Sequence, residues 1–254
     1  MAAVRCDFFS EVLEVGTSIN VLLPQATEEQ IGVADAVRRT GDFPVLYLLH
    51  GLSDDATAWQ RYTSIERYAA PLGLAVVMPQ VQRSFYADEV HGGSYWTFLT
   101  EELPTVVRSF FRISDRREDT FVAGLSMGGY GAFKWALRHP DRFAAAASLS
   151  GGLDVQALSQ IEWRKSLFRR VFDGEVGPDD DLFALLERAD PAAVPPLYLG
   201  CGTEDHLFDG NERFLEAAKA AGLDVHVDFR PGEHEWGLWD ATIRDVLAWL
   251  PLAR

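Results

Sequence analysis

Six short, unbroken apolar runs recur along most of this chain, and helical periodicity fills most of the gaps between them. The runs are Val45–Leu49, Ala75–Met78, Thr120–Ala123, Ala144–Leu149, Leu197–Cys201 and Val225–Phe229. Runs without polar alternation suit strands buried on both faces. Alternation of such strands with helices implies a mostly parallel sheet covered on both sides. Leu99, Leu103, Val106, Val107 and Phe110 keep helical spacing, with Pro104 placed to bend that helix. Three further helices are expected: Tyr130–Arg138 before Pro140, Glu212–Ala221 ending at Gly222, and Leu238–Leu250 ended by Pro251. Upstream, Asp7–Val15 and Thr17–Leu23 read as an antiparallel edge hairpin broken at Gly16, and the polar stretch Gln25–Asp42 reads as a loop.

One stretch, 151–196, breaks the rhythm. Trp163, Leu167 and Val171 recur at spacings of four beside Phe168 and Phe172, giving one apolar helical face, and a second short helix is expected over Leu182–Arg188. Its position suggests a small helical cap inserted over the C-terminal edge of the sheet. The 254 residues are within reach of one α/β domain.

The net charge of −15, from 23 basic and 38 acidic residues, disfavours nucleic acid and anionic membrane surfaces as partners. No segment has the apolar length of a membrane span, and the start lacks a secretory apolar stretch, so a cytoplasmic protein is expected. Cys6 and Cys201 are far apart and are expected as free thiols; no CxxC pair suggests a metal, and none is expected. Asp179-Asp180-Asp181 lacks the spacing of a calcium loop and reads as a solvated loop.

The segment Phe121-Val-Ala-Gly-Leu-Ser-Met-Gly-Gly-Tyr holds Gly124-x-Ser126-x-Gly128 between an apolar strand and a helical stretch. That context is what a nucleophile elbow requires: a turn so tight that side chains at the flanking glycines would clash. Ser126 is the expected nucleophile. The His50-Gly51 pair after an earlier strand lets the chain turn, so the Leu52 and Met127 N–H groups are the expected oxyanion donors, with His50 structural.

A serine hydroxyl needs an imidazole to take its proton and a carboxylate to orient that imidazole. After strand Leu197–Cys201, Glu204 and Asp205 both occupy the acid position. After strand Val225–Phe229, His234 follows the Pro231-Gly232 turn, ahead of the last helix, where the base belongs. His91, His139, His206 and His226 fit that position less well. Trp59, Tyr95, Trp96 and Trp236 flank the motif loops and are candidate pocket walls.

Taken together, Leu-Leu-His-Gly at 48–51, Gly-Leu-Ser-Met-Gly-Gly at 124–129, Cys-Gly-Thr-Glu-Asp at 201–205 and Gly-Glu-His-Glu-Trp at 232–236, with Trp239-Asp240 after it, resemble the esterase D family of α/β-hydrolases. Thr100-Glu-Glu-Leu-Pro is similar to that family's helix before the elbow strand. The resemblance implies the α/β-hydrolase fold, places the acid at Asp205 and implies a serine carboxylesterase of short acyl esters, with a small-molecule ester substrate, no cofactor and a dimer or tetramer. It also implies the alternatives of an S-formylglutathione hydrolase or an acetyl or feruloyl carbohydrate esterase. An acyltransferase using the same triad, and a non-catalytic binding protein on the same scaffold, complete the range.

Overall fold

The computed structural model describes residues 1–26 and 41–252; most of the expected Gln25–Asp42 loop lies outside these residues. Eight strands form one sheet: β1 (Ala2–Ser10), β2 (Val15–Leu23), β3 (Val45–Leu49), β4 (Ala75–Pro79), β5 (Thr120–Leu125), β6 (Ala145–Leu149), β7 (Leu197–Gly202) and β8 (Val225–Arg230). Their order is β1-β2-β4-β3-β5-β6-β7-β8. The pairings β1–β2 and β2–β4 are antiparallel and all the others parallel. This is the α/β-hydrolase arrangement.

The helices are α1 (Ala58–Tyr62), α2 (Ile65–Ala69), α3 (Tyr95–Thr97), α4 (Leu103–Phe110), α5 (Met127–Arg138), α6 (Val155–Ser159), α7 (Lys165–Phe172), α8 (Leu182–Glu187), α9 (Phe208–Ala220) and α10 (Trp236–Trp249). Alternate strand residues feed two cores. Val45, Tyr47, Leu49, Val122 and Ala146 face the larger one, which α4, α5, α7, α8 and α9 cover. Leu46, Leu48, Phe121, Ala123 and Ala147 face the other, closed by α1, α2 and α10. Both sides of β3 to β7 are therefore dry, which is why their sequences show no polar alternation. β8 departs from that expectation: as an edge strand it is half-exposed, with Val227 open to solvent.

The hairpin turn also differs from the expected one. Strand pairing runs to Ser10↔Val15, so the chain turns over residues 11–14 and Gly16 sits inside β2 opposite Phe9. The positive φ the turn needs, +56°, falls on Glu14 rather than on a glycine. Pro104 lies in the first turn of α4, where its missing N–H costs nothing, and the helix is instead disrupted just upstream by a π-turn over Phe98–Glu102, closed by Leu103 N–H donating to Phe98 O.

Segment 151–196 contains α6, α7 and α8. In α7 the residues Leu167, Phe168, Val171 and Phe172 are buried as expected. Trp163 falls in a 3-10 turn before α7, leaves that face and is 66% exposed. The three consecutive aspartates are only in part a solvated loop. Asp179 pairs with Arg188, Asp180 pairs with the fully buried Lys134 of α5, and Asp181 accepts from Phe183 N–H at the start of α8. The apolar packing around Lys134 explains why an adjacent carboxylate is drawn inward. Cys6 and Cys201 are both free, and Cys201 is buried.

Candidate active site

β5 ends in a turn that leaves Ser126 at φ +54°, ψ −117°, a strained conformation for a residue with a side chain. A Cβ on Gly124 would strike the Gly128 carbonyl, and one on Gly128 would strike the Leu49 carbonyl of β3. Glycine at both positions is therefore what lets α5 begin so close behind the strand. Ser126 N–H donates to Leu149 O at 2.9 Å, which anchors the elbow to β6.

His234 lies in the loop between β8 and α10. Its Nε2 is 3.1 Å from Ser126 Oγ and its Nδ1 is 2.8 Å from Asp205 Oδ2. Asp205 follows β7 with its side chain fully buried, and its Oδ1 accepts from Leu207 N–H at 2.9 Å. Burial works against its charge. The hydrogen bond and charge of His234, the Leu207 N–H and the Ser150 hydroxyl outweigh burial and hold the carboxyl below its ordinary range. Ser150 also takes the indole N–H of Trp239 at 3.1 Å, while the Trp239 ring stands edge-on to the His234 ring at 4.8 Å. Imidazole and carboxylate are thus each held from two sides.

The two acids that the residues alone left open have separate places. Asp205 meets His234, whereas the Glu204 carboxylate accepts from Gly232 N–H at 2.5 Å and ties down the loop that carries His234. Among the other histidines, His50 is buried, with Nδ1 2.8 Å from Gly51 O and Nε2 accepting from Val81 N–H at 3.2 Å. Accepting at Nε2 fixes the proton on Nδ1, and burial holds the ring's pKa below its ordinary value. Since the carbonyl and N–H of a trans peptide point in opposite directions, anchoring Gly51 O to His50 turns the Leu52 N–H the other way. Among the described residues no backbone acceptor meets Leu52 N–H, and Met127, the first residue of α5, has no intrahelical acceptor for its own N–H.

A cleft of about 440 Å³ opens over these groups, lined by Leu52, Asp54, Arg83, Ser126, Trp163, Arg164, His206, His234, Trp236 and Trp239 among others. Of the four aromatic candidates, only Trp236 reaches it. Trp59 lies behind Trp236, edge-on at 5.4 Å, with its indole N–H donated to Leu49 O at 2.9 Å. Trp96 is buried beneath α5, with Lys134 Nζ and Arg138 Cζ each 4.4 Å from its ring, and Tyr95 packs on the larger core outside the cleft. Closeness to a motif loop in sequence did not mean facing the cleft, because α1 and α3 turn these rings toward the cores. Arg83, Trp163, Arg164 and Trp239 were not singled out as wall residues. The Trp163 spacing pointed to a core face instead, and no sequence pattern marks the two arginines.

Asp205, His206 and His234 each offer one ligand atom within 4.8 Å of the others. A metal ion there would need the lone pairs already used along the Ser126–His234–Asp205 line, so the two arrangements exclude one another.

A family model described as a putative esterase matches residues 10–250. The acetyl esterase of Caldicellulosiruptor saccharolyticus is 30% identical to this chain, with 98% of each covered. The substrate-bound structure of fluorophosphonate-binding serine hydrolase F of Staphylococcus aureus superposes with a TM-score of 0.87 at 33% identity, covering 98% of both chains. An S-formylglutathione hydrolase from the same organism superposes at 0.85, again with 33% identity and 98% coverage of each chain.

Proposed function

Because this chain belongs to the putative-esterase family and is a carboxylic ester hydrolase with the α/β-hydrolase fold, we propose that Ser126, His234 and Asp205 are its catalytic triad and short-chain acyl esters its substrates. The pair of hydrogen bonds joining Ser126 Oγ through His234 to Asp205 carries this reading. His234 takes the hydroxyl proton as Ser126 attacks the ester carbonyl, and Leu52 and Met127 N–H hold the oxyanion. His234 then protonates the departing alcohol. A water activated by the same imidazole releases the acid from the acyl-enzyme. Asp205 keeps the Nδ1–H tautomer in place. The short acyl preference is supported by the likeness to the acetyl esterase.

Segment 151–196 acts as the cap of this cleft, a role supported by Trp163 and Arg164 in the cleft wall. A cytoplasmic dimer or tetramer belongs to the same reading. The two free thiols suit a reducing compartment, and Phe9, 60% exposed on edge strand β1, suits a subunit contact. Among the described residues no helix is long and apolar enough to cross a membrane.

A fluorophosphonate probe is expected to label the wild type at Ser126 and to leave Ser126→Ala unlabelled. Hydrolysis across acetyl to octanoyl 4-nitrophenyl esters is expected to favour the short end. Ser126→Ala should lose about a million-fold in turnover, with Asp205→Asn costing less than His234→Ala. Labelling at Ser53 or Ser94, or near-wild-type turnover in Ser126→Ala, refutes the assignment.

A further inference from the structure

Arg164 is 8% exposed, yet its guanidinium has no hydrogen-bond or ion-pair partner among the described residues. Its Nε is a fully buried, unpaired donor. A guanidinium has five N–H donors and no acceptor, and burying it without an anion is costly. The nearest compensation is the face of Trp163, with Arg164 Cζ 4.6 Å from the ring centroid. A neighbouring charge makes matters worse. Burial first, and then the like charge of Arg83, press the Arg164 pKa below its ordinary value. Arg83 is itself without an ion-pair partner among the described residues. Both arginines line the cleft that holds Ser126.

The surroundings make the pair stand out. The chain carries a net charge of −15, and Lys134, the other cation buried as deeply as Arg164 among the described residues, has the carboxylate of Asp180. In the cleft, Asp205 is committed to His234 behind the wall, and Asp54 makes no ion pair with either arginine among the described residues. A buried, unpaired guanidinium beside a nucleophile, with the exposed guanidinium of Arg83 next to it in a protein with acid to spare, has the form of a site whose anion arrives with the ligand.

We infer that Arg164, assisted by Arg83, binds a carboxylate carried by the ester substrate, so that the preferred substrates of this hydrolase are anionic. The inference rests on the esterase reading and narrows it to a substrate class. A planar carboxylate matches the two-pronged donor face of a guanidinium, and the aromatic wall of Trp163, Trp236 and Trp239 accommodates the rest of the molecule. The carboxylate has two possible locations, the acyl group or the alcohol, and matched esters separate them.

The test compares kcat/KM within two pairs. Mono-4-nitrophenyl glutarate against 4-nitrophenyl pentanoate places the charge on the acyl side, and 3-acetoxybenzoate against 3-acetoxybenzamide places it on the alcohol side. In the wild type the charged member of one pair is expected to exceed its neutral partner. That ratio should fall about ten- to a hundredfold in Arg164→Met, the range for a hydrogen-bonded charge pair, and recover in part in Arg164→Lys. A measurement on the wild type alone guards against a misfolded variant: benzoate should inhibit 4-nitrophenyl acetate hydrolysis competitively, and far better than benzamide. Ratios near one in both pairs, a ratio unmoved by Arg164→Met, or benzoate no better than benzamide overturns the subsite while the esterase reading stands. A wild type that hydrolyses neither member of either pair overturns both.

Discussion

His50 shows how one side chain can bear on chemistry it does not perform. Its ring bridges the Gly51 carbonyl and the Val81 N–H, and its own carbonyl accepts from Tyr86 Oη at 2.8 Å. Removing the ring leaves the Gly51 carbonyl only its 3.2 Å hydrogen bond from Asp54 N–H, which loosens the Gly51–Leu52 peptide and with it the aim of one oxyanion donor. His50→Ala is therefore expected to lower kcat by about ten- to a hundredfold while KM for a short ester changes little, since a misdirected donor is missed mainly in the transition state. A matching fall in substrate binding with kcat intact would argue against this role. The same ring has a pH signature. Its folded pKa lies below the ordinary 6.5, so below that pH the unfolded chain takes up a proton that the folded site refuses. Stability present at neutral pH should then be lost as the pH falls below 6.5, by up to about 1.4 kcal/mol per pH unit for this one group. Half-buried His139 and exposed His206 are shifted in the same direction, so the signal is the difference between wild type and His50→Ala in urea unfolding between pH 7.5 and 5. Identical slopes would exclude His50 as the source.

At the scale of elements, α5 does more than present Ser126 at its N-terminus. Lys134, fully buried, donates to Tyr86 O at 2.8 Å and pairs with Asp180 at 2.5 Å, joining the loop after β4 to the segment before α8. Gln82, Phe85 and Tyr86 in that loop all have positive φ, so this backbone is held by its contacts and not by local preference. Tyr86 in turn reaches His50. Lys134→Met should cost about 3 kcal/mol, the lower end for stripping one partner from a buried ion pair, and Lys134→Met with Asp180→Asn should recover part of it. Urea unfolding of the single and double variants measures both, and a single variant as stable as wild type would mean that the pair holds nothing. None of this was visible in the sequence, where Asp180 sat among three aspartates that look like surface. The parts that were legible share one property: backbone geometry dictates the residue. The elbow announced itself because β5 and α5 meet too closely for anything but glycine at 124 and 128. The buried strands announced themselves because both faces are dry. The hairpin turn misled, since its left-handed position carries Glu14 while the nearby glycine lies in a strand. Glu204 and Asp205 could not be separated by residue type or order, because the two side chains leave the same loop in different directions. Trp59 and Trp96 were misread because an aromatic beside a motif faces the core as readily as the cleft.

On the scale of the whole molecule, the excess of 38 acidic over 23 basic residues acts on stability independently of any single contact. Like charges spread over one surface repel, and the repulsion is relieved on unfolding as the chain expands. Much of the ion pairing does little to offset this. Arg5–Asp7, Arg108–Asp115 and Lys219–Glu216 are exposed pairs of the kind that contribute at most about 1 kcal/mol and weaken with salt. The buried Asp205–His234 and Asp180–Lys134 contacts are shielded from solvent ions and should respond little. Salt therefore removes more repulsion than attraction. Raising sodium chloride from about 10 mM to about 150 mM shortens the screening length from about 30 Å to about 8 Å, well below the span of the sheet, so most long-range repulsion disappears over that interval. The melting temperature at pH 7.5 should rise across this range and level off above it. At pH 5, nearer the sequence pI of about 4.7, the same addition should have a smaller effect. Calorimetry at the two pH values checks both. A melting temperature that falls with salt at pH 7.5 would mean that the surface pairs, and not the net charge, dominate the electrostatics of this fold.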